Sequence, residues 1–452
     1  MRIKTITQII IVMNFRNTIK YLSVAALFFT ISCCDNGSGN NSSAVVNGRV
    51  EGDQNAKTVQ KSTYGASTES VEAATVTAAT VSADGTMTTI SNVETETNAQ
   101  GEFSLEISED VSGDIVVMAE KSGTTWKGYV YSEVESGGET NMKPITTEST
   151  VETDIYAEMK ADGEAESTSY SSIETYVDSE VATNVYGNTR AYADIATAIS
   201  SQAETEAAFY SSSEANVSSG QMTQIAEARA SAQAQLESDL YAASSSESRT
   251  AAYAKFNDAV LNAYSNAEVT MSTYVKAKGA SAEAFAHSTM DVSSEAMAKM
   301  QTNASARTAI ALESATEAQF QAMSASESNI TAAANAAATL QSDLEANIQS
   351  ESEIKAAFQT YHDTVLEIMK DESSEANATA LTELDASVNA NGGLKDTFES
   401  SLSIGVSVNL IINAYTEFIT AIRTQAENNL DVASSAEMNA MVEAVTLINL
   451  SN

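Results

Sequence analysis

Two patterns of apolar positions divide the chain near residue 155. Between 45 and 155, β-branched and aromatic residues alternate with polar ones in short runs that glycine-containing pairs separate. Alternation with a period of two, bounded by such turns, predicts half-buried strands. The predicted strands are 45–51, 74–83, 86–97, 101–107, 114–120, 124–134 and 140–155. Several short strands at this spacing indicate a β-sandwich of about a hundred residues.

From 156 to 452 the apolar residues recur every three or four positions instead. Two such stripes are Tyr253, Phe256, Val260, Tyr264, Ala267, Met271 and Tyr274, and Leu340, Leu344, Ile348, Ile354, Phe358, Tyr361, Val365 and Ile368. This spacing places apolar side chains on one face of a helix. The only proline is Pro144, and seven glycines follow it. We predict a large all-α body of long helices, and a bundle rather than a coiled coil because no strict seven-residue repeat is present.

The helical region contains five candidate turns. They are Asp162-Gly163, Tyr186-Gly187-Asn188, Ser219-Gly220, Lys278-Gly279 and Asn391-Gly392-Gly393. The segment 281–370 has neither glycine nor proline, which predicts very long helices there with at most one break. The whole chain is therefore expected to be a multidomain α+β protein, with a small sandwich at 45–155 and a helical bundle at 156–452.

The most apolar stretch after the first forty residues is 406–422. We predict that it forms the central helix of the bundle and is buried on most sides. The alternative is a segment that inserts into a membrane, as in a membrane-active long-helix protein. Asn409, Asn413 and Glu417 recur at four-residue spacing and form a polar stripe. Such a stripe fits a helix inside a protein better than an uninterrupted membrane span.

Charge and cysteine content exclude several classes of function. The chain has 61 Asp and Glu against 23 Lys and Arg, a formal net charge of −38. Such a surface repels phosphate backbones and anionic lipid headgroups, so we expect no nucleic-acid partner. The two cysteines, Cys33 and Cys34, are adjacent, so the predicted domains have neither disulfides nor cysteine ligands for a metal.

The residues around these cysteines resemble a bacterial lipoprotein signal. Basic Arg16 and Lys20 precede an apolar run from 21 to 31, and the sequence Ile-Ser-Cys-Cys is followed by a spacer rich in Gly, Ser and Asn at 35–44. The apolar run is too short for a membrane-spanning helix, which needs about 20 residues. A start at Met13 would give a compact signal. The resemblance implies a lipid-anchored protein of the bacterial cell envelope, with 1–33 as signal and 34–44 as flexible tether.

The sequence leaves open which cysteine carries the lipid. Cys33 follows the small residue Ser32, but Thr30 stands where an aliphatic residue is usual; Cys34 has Ile31 at that position, but Cys33 precedes it. We favour Cys33. An aspartate directly after the lipidated cysteine implies inner-membrane retention in some bacteria, which would apply to Cys34. Because we favour Cys33, we also favour the outer membrane or the cell surface over the inner membrane.

The predicted sandwich is similar to the carboxypeptidase regulatory-like (prealbumin-like) module. The matching stretches are Val-Asn-Gly-Arg-Val at 46–50, Ala-Thr-Val-Thr-Ala at 74–78, Thr-Asn-Ala-Gln-Gly-Glu-Phe-Ser-Leu at 97–105 and Asp-Ile-Val-Val-Met-Ala at 114–119. The usual proline before the second strand is absent, and the insertion after Gly52 is long and polar. The resemblance implies a non-catalytic module that acts as a spacer, a stalk or a binding unit.

Few residues could carry chemistry. The two histidines, His287 and His362, stand in no metal-binding or catalytic motif, so we predict no catalytic residue, no metal and no cofactor. The favoured function is a structural or protein-interaction role. The alternative is recognition of a glycan or cell-wall polymer by exposed aromatic side chains of the sandwich. The candidates are Trp126, Tyr129 and Tyr131, although the same residues also fit positions in the sandwich core.

Overall fold

The computed structural model describes most of the chain after residue 42. The described residues are 43–52, 69–107, 113–131, 137–165, 169–286, 292–322, 324–345, 351–401 and 407–429, the single residues 111, 134, 288, 290 and 439, and the short pieces 441–443 and 445–446. All of them belong to one compact unit, Asn41–Asn452. The region of sheets comes first and a large helical body follows, which confirms the predicted α+β class.

Nine strands form the sheets in the described residues. They are β1 (Ala44–Arg49), β2 (Glu51–Gly52), β3 (Glu69–Ser70), β4 (Thr75–Val81), β5 (Met87–Glu96), β6 (Glu102–Ile107), β7 (Asp114–Lys121), β8 (Thr124–Val130) and β9 (Glu139–Asn141). One sheet has the order β6-β1-β9 and a second has the order β5-β4-β7-β8, while β2 pairs with β3. Neighbouring strands are antiparallel except β1 and β9. Val46, Leu105, Val117 and Trp126 belong to the buried core of these sheets.

The turn between β7 and β8 illustrates how local sequence sets the register. Ser122 and Gly123 both have positive φ, 54° and 79°, as the tight two-residue turn of a hairpin requires. Lys121 consequently pairs with Thr124 and Ile115 with Val130. The predicted strands 114–120 and 124–134 are thus confirmed in position, although β8 ends at Val130.

The predicted last strand, 140–155, is wrong over most of its length. β9 has only three residues, and helix α1 (Thr147–Ala161) replaces the rest. Thr146 caps this helix by accepting a hydrogen bond from the Ser149 backbone, and the Ser149 hydroxyl accepts one from the Thr146 backbone. The β-branched residues suggested a strand, but Val151 and Ile155 lie four residues apart on a buried helical face. Tertiary packing of this face and the cap therefore override the local preference for a strand.

Twelve further helices follow α1 in the described residues. They are α2 (Ser169–Tyr176), α3 (Ser179–Val185), α4 (Thr189–Tyr210), α5 (Ser219–Ala242), α6 (Ser246–Asn266), α7 (Met271–Ala286), α8 (Ser294–Ala322), α9 (Glu327–Glu345), α10 (Glu351–Glu372), α11 (Glu375–Val388), α12 (Leu394–Ser401) and α13 (Val408–Asn429). One large apolar core joins α4 to α13, and a second core joins the sheets to α1–α4. The first helices therefore pack directly against the sheets and share a buried core with them.

Several predicted helix boundaries need correction. The stripe from Tyr253 to Tyr274 spans two helices, because the chain turns at Glu268, which has a φ of 59°. The segment 281–370 holds parts of four helices, α7 to α10, and not the one or two very long helices that we predicted. The prediction of a turn at Ser219-Gly220 is wrong: Ser218 is the N-cap of α5, and Gly220 lies in the first turn of that helix. The Lys278-Gly279 turn is wrong because it lies inside α7.

Helix α13 covers most of the apolar stretch that we predicted to be buried on most sides. Only one face is buried, with Tyr415, Ile419 and Ile422 in the core, and Leu410 is 58% exposed. Asn409, Asn413 and Glu417, which form the polar stripe, are exposed. Since the polar stripe faces solvent, α13 is an amphipathic helix at the edge of the bundle. In the described part of the chain no helix has the length and apolar character needed to cross a membrane.

Two glycines provide a test of packing in the sheets and the bundle. A Cβ at Gly48 would lie 2.5 Å from the Phe103 ring, whereas one at Gly220 would meet only the Ser218 hydroxyl at 4.0 Å. We expect Gly48→Ala to lower the free energy of unfolding by about 1–3 kcal/mol. Gly220→Ala should raise it by about 0.5 kcal/mol, because alanine favours helix. Urea denaturation of both variants measures this, and equal stability of the two would contradict the packing at Gly48.

Candidate functional site

The structure places the predicted site residues in different environments. Cys33 and Cys34 lie outside the described residues, as does His287. Trp126 is 3% exposed and Tyr129 is 8% exposed, so the interpretation of these two as an exposed glycan-contact platform is wrong. Trp126 belongs to the sandwich core, and Gly52 packs directly against its indole. Tyr131 is half-buried and packs against the second core beside Tyr129.

Tyr129 belongs to the contact between the sheets and the helices. Its ring centroid lies 4.7 Å from that of Tyr156 on α1 and 4.7 Å from that of Tyr170 on α2. Its hydroxyl donates to Asp114 Oδ1 at 2.9 Å. Asp114 also accepts from Lys160 Nζ at 2.6 Å, so the start of β7 is tied to the end of α1. Burial is the main cause of a strongly raised pKa at Tyr129, which stays a neutral donor.

His362 is buried at 1% exposure on α10. Its Nε2 lies 2.9 Å from Asp385 Oδ1 on α11, and its Nδ1 lies 3.2 Å from Asp363 Oδ1. The histidine therefore lies between two neighbouring helices of the bundle, and its Nε2 has no hydrogen bond of good geometry within the described residues. Within the described residues, no group of three or more His, Cys, Asp and Glu side chains is placed to hold a metal ion.

The most concentrated buried charge surrounds Lys143, which lies in the connection between β9 and α1. Lys143 Nζ donates to Glu152 Oε2 at 2.5 Å and also to Glu174 Oε1. Its backbone N–H donates to Glu237 Oε2 at 2.9 Å. Glu148 stands one helical turn before Glu152 on α1. We call Lys143, Glu148, Glu152, Glu174 and Glu237 the junction cluster, because they join the last strand to α1, α2 and α5.

Polar side chains around the junction cluster complete part of its hydrogen bonding. Tyr170 donates from its hydroxyl to Glu152 Oε2 at 3.1 Å. Gln233, one turn before Glu237 on α5, donates from Nε2 to both Glu174 and Glu237. The second carboxylate oxygen of Glu152 has no hydrogen-bond partner among the residues that the structure describes. The cluster is therefore rich in acceptors and short of donors.

The electrostatics of the cluster follow from this shortage. Burial raises the pKa of Glu152 to about 7 and the pKa of Glu148 and of Glu237 to about 8, since an ionised carboxylate loses its hydration there. Neighbouring carboxylates reinforce the rise, and Lys143 opposes it. Burial favours the neutral form of Lys143, but Glu152 and Glu174 outweigh it and raise the lysine pKa well above its ordinary value. Lys143 therefore stays charged, while Glu148, Glu152 and Glu237 bind protons more readily than exposed carboxyl groups.

A second set of charges holds the sandwich to the end of α5. The Arg49 guanidinium donates to the backbone oxygens of Tyr241 at 3.1 Å and Ala243 at 2.6 Å. These carbonyls end the helix and have no partners inside it, so a cation there satisfies them and complements the helix dipole. Glu51 pairs with Arg49 at 2.5 Å and with Arg249 of α6 at 2.8 Å.

A third buried ion pair lies within the helical body. Lys278 Nζ of α7 donates to both oxygens of Glu206 on α4, at 2.6 and 2.8 Å. The Tyr264 hydroxyl donates to the same carboxylate at 3.1 Å. Burial alone would raise the pKa of Glu206, but Lys278 and Arg229 outweigh it and hold the pKa at about 2. Glu206 therefore has a lowered pKa, whereas Glu148, Glu152 and Glu237 of the junction cluster have raised ones.

Sequence reasoning missed the junction cluster. The acids of α1, α2 and α5 are scattered among many similar ones, so their spacing does not single them out. One signal was available: Lys143 precedes the only proline, at the boundary between the strand pattern and the helix pattern.

The fold and the junction cluster define an α+β protein whose sheets and helices share buried charge. Comparisons of the chain with protein-family models, with curated proteins and with solved structures found no match.

Proposed function

We propose that this chain is a lipid-anchored lipoprotein of the bacterial cell envelope with a non-catalytic structural or protein-interaction role. The observation that carries the proposal is the sequence at 16–44: basic residues, a short apolar run, the pair Cys33-Cys34 and a polar spacer. A lipid on a cysteine adds a hydrophobic anchor to a protein whose net charge of −38 would otherwise keep it away from anionic membranes.

The architecture supports a role as a rigid body on a tether. The sheets and the helices form one compact unit. The buried Lys143–Glu152 ion pair and the hydrogen bond from Arg49 to the Ala243 carbonyl oxygen link the two regions. An acidic surface favours a protein partner with basic groups over nucleic acid.

The experiment compares the unchanged chain with Cys33→Ala, Cys34→Ala and the double variant in a bacterial host. We expect the double variant to lose all incorporation of labelled palmitate and to leave the membrane fraction, because no other cysteine is present. Of the two single variants, Cys33→Ala should show the same loss and Cys34→Ala should keep the lipid.

Globomycin, which inhibits the lipoprotein signal peptidase, supplies an independent control, since it should leave the precursor uncleaved. A double variant that stays in the membrane fraction would contradict the proposal. If only Cys34→Ala loses the label, Cys34 and not Cys33 carries the lipid, which would favour the inner membrane.

No observation favours the glycan-binding alternative, since its candidate aromatics Trp126 and Tyr129 are buried. The membrane-active alternative depended on 406–422, and the apolar face of α13 is covered by the bundle. We therefore propose neither.

A further inference from the structure

We propose that the junction cluster is a pH-sensitive latch between the sandwich and the helices: it is closed while its carboxyl groups hold protons and loosens as they lose them. The latch concerns the described part of the chain alone and does not require the lipid anchor.

The first argument is the balance of charge. Four carboxyl groups surround one ammonium group; Glu152 and Glu237 are 0% and 1% exposed, and Glu148 and Glu174 are half-buried. Full ionisation would leave three uncompensated negative charges in an environment with little water. Burying an unpaired charge is far more costly than burying a proton-bearing carboxyl group. The folded junction is therefore most stable when part of the cluster is protonated.

The second argument is the set of groups that face the cluster from each element. The connection after β9 supplies Lys143, α1 supplies Glu148 and Glu152, and α2 supplies Tyr170 and Glu174. The remaining facing groups are Tyr131 after β8, Asp178 before α3, and Arg229, Gln233 and Glu237 of α5. Lys299 of α8 forms an ion pair with Asp178, with 3.4 Å between Lys299 Nζ and Asp178 Oδ2. Arg229 faces Glu206 and the tyrosines beside it, so Lys143 is the main cation of the cluster.

The third argument is the free oxygen of Glu152. Its Oε1 is buried and has no hydrogen-bond partner within the described residues. A proton on this oxygen displaces no existing hydrogen bond, and it supplies a donor to a region that otherwise contains mainly acceptors.

The position of the cluster explains why loosening would act on the junction. The connection that carries Lys143 is held to β1 by two backbone hydrogen bonds, Met142 N–H to Asn47 O at 3.0 Å and Ile145 N–H to Arg49 O at 2.8 Å. Within the part of the chain that the structure describes, its hydrogen bond to α5 runs from the Lys143 backbone N–H to Glu237 Oε2. The carboxyl groups of the cluster lie on α1, α2 and α5. When they are ionised, their mutual repulsion favours separation of these three helices at the point where they meet the sandwich.

The sign of the pH dependence follows from the raised pKa values. A carboxyl group whose pKa is higher in the folded state stabilises the fold fully below its ordinary value, and this stabilisation is lost as the pH rises through the folded-state value. For Glu148, Glu152 and Glu237 that window runs from about 4.5 to about 8. Lys143 titrates above the window and stays charged throughout.

Hydrogen exchange of the full chain tests the latch. We expect protection of the amides at 139–146, corrected for the intrinsic effect of pH, to fall by at least about tenfold between about pH 5 and about pH 9. Glu148→Gln removes one charge and breaks no side-chain hydrogen bond seen among the described residues. The protection of the 139–146 amides should therefore fall less in this variant than in the unchanged chain. Its melting temperature should match that of the unchanged chain near pH 5 and exceed it near pH 9.

Glu164→Gln is the matched control, because Glu164 is an exposed carboxylate just after α1. It should behave like the unchanged chain at both pH values. Unchanged protection of 139–146 across the range would overturn the latch. So would a Glu148→Gln effect on the melting temperature that is the same at both pH values, because a purely structural role of Glu148 predicts that result.

Discussion

Replacing Lys143 by methionine is expected to lower the free energy of unfolding by about 3–5 kcal/mol, the range for breaking one partner of a buried ion pair. Methionine keeps much of the side-chain volume, so the loss reports the charge. Glu152 and Glu174 would lose the ammonium group that both contact. A loss of this size is a large part of the total stability of an ordinary domain.

Urea denaturation monitored by circular dichroism measures this change. Lys255→Met is the matched control, because Lys255 pairs with Asp239 at 2.8 Å but is 62% exposed. Exposed pairs contribute at most about 1 kcal/mol. The difference between the Lys143 variant and the unchanged chain should shrink near pH 5, where the carboxyl groups take up protons. Equal losses in the two variants would show that Lys143 is not a buried ion-pair partner in solution.

Replacing Lys278 by methionine is expected to cost about 3 kcal/mol near neutral pH. The figure follows from the pKa of Glu206, which is about 2 in the fold against an ordinary 4.5, at about 1.4 kcal/mol per unit. A carboxyl group with a lowered folded-state pKa stabilises the fold above its ordinary value, and this stabilisation is lost as the pH falls through the lowered value. The Glu206 pair therefore weakens between about pH 4.5 and about pH 2.

The pH profile distinguishes the two lysines. Without Lys278 the acid-side loss of stability should be much smaller, because Glu206 has lost its main cation. Lys370→Met is the control, since Lys370 pairs on the surface with Glu367 at 2.8 Å, and Glu367 is 74% exposed. If the Lys278 variant loses as much stability at acidic pH as the unchanged chain does, Lys278 is not the main cation that stabilises ionised Glu206. Because the junction cluster loses stability as the pH rises, we expect the unchanged chain to be most stable near pH 5.

Local patterns predicted the sheets well. Strands β1 and β4–β8 lie within a few residues of their predicted positions, because alternation and glycine turns act over short distances. The pattern failed at 140–155, where β-branched residues stand on the buried face of α1. It also missed β3, whose two exposed residues carry no alternation signal.

Helix boundaries were harder to predict than helices. The chain turns at Glu268 and near Ser324 without glycine or proline, and both residues have positive φ. Conversely, Gly279 continues through α7, where its small size fits beside the Tyr415 hydroxyl at 3.8 Å from its would-be Cβ. Turns of this kind depend on which neighbouring helix each segment packs against, and a single sequence does not contain that information.

By itself the sequence determined the α+β class, the order of sheets before helices and the acidic surface, because periodicity and composition are local properties. Only the tertiary structure decided which of the many acids are buried, that Trp126 and Tyr129 lie in cores, and that Lys143 is the common partner of acids on three helices. The physical reason is that burial and pairing of charge depend on contacts between residues far apart in the chain: 94 positions for Lys143 and Glu237, and 198 for Glu51 and Arg249.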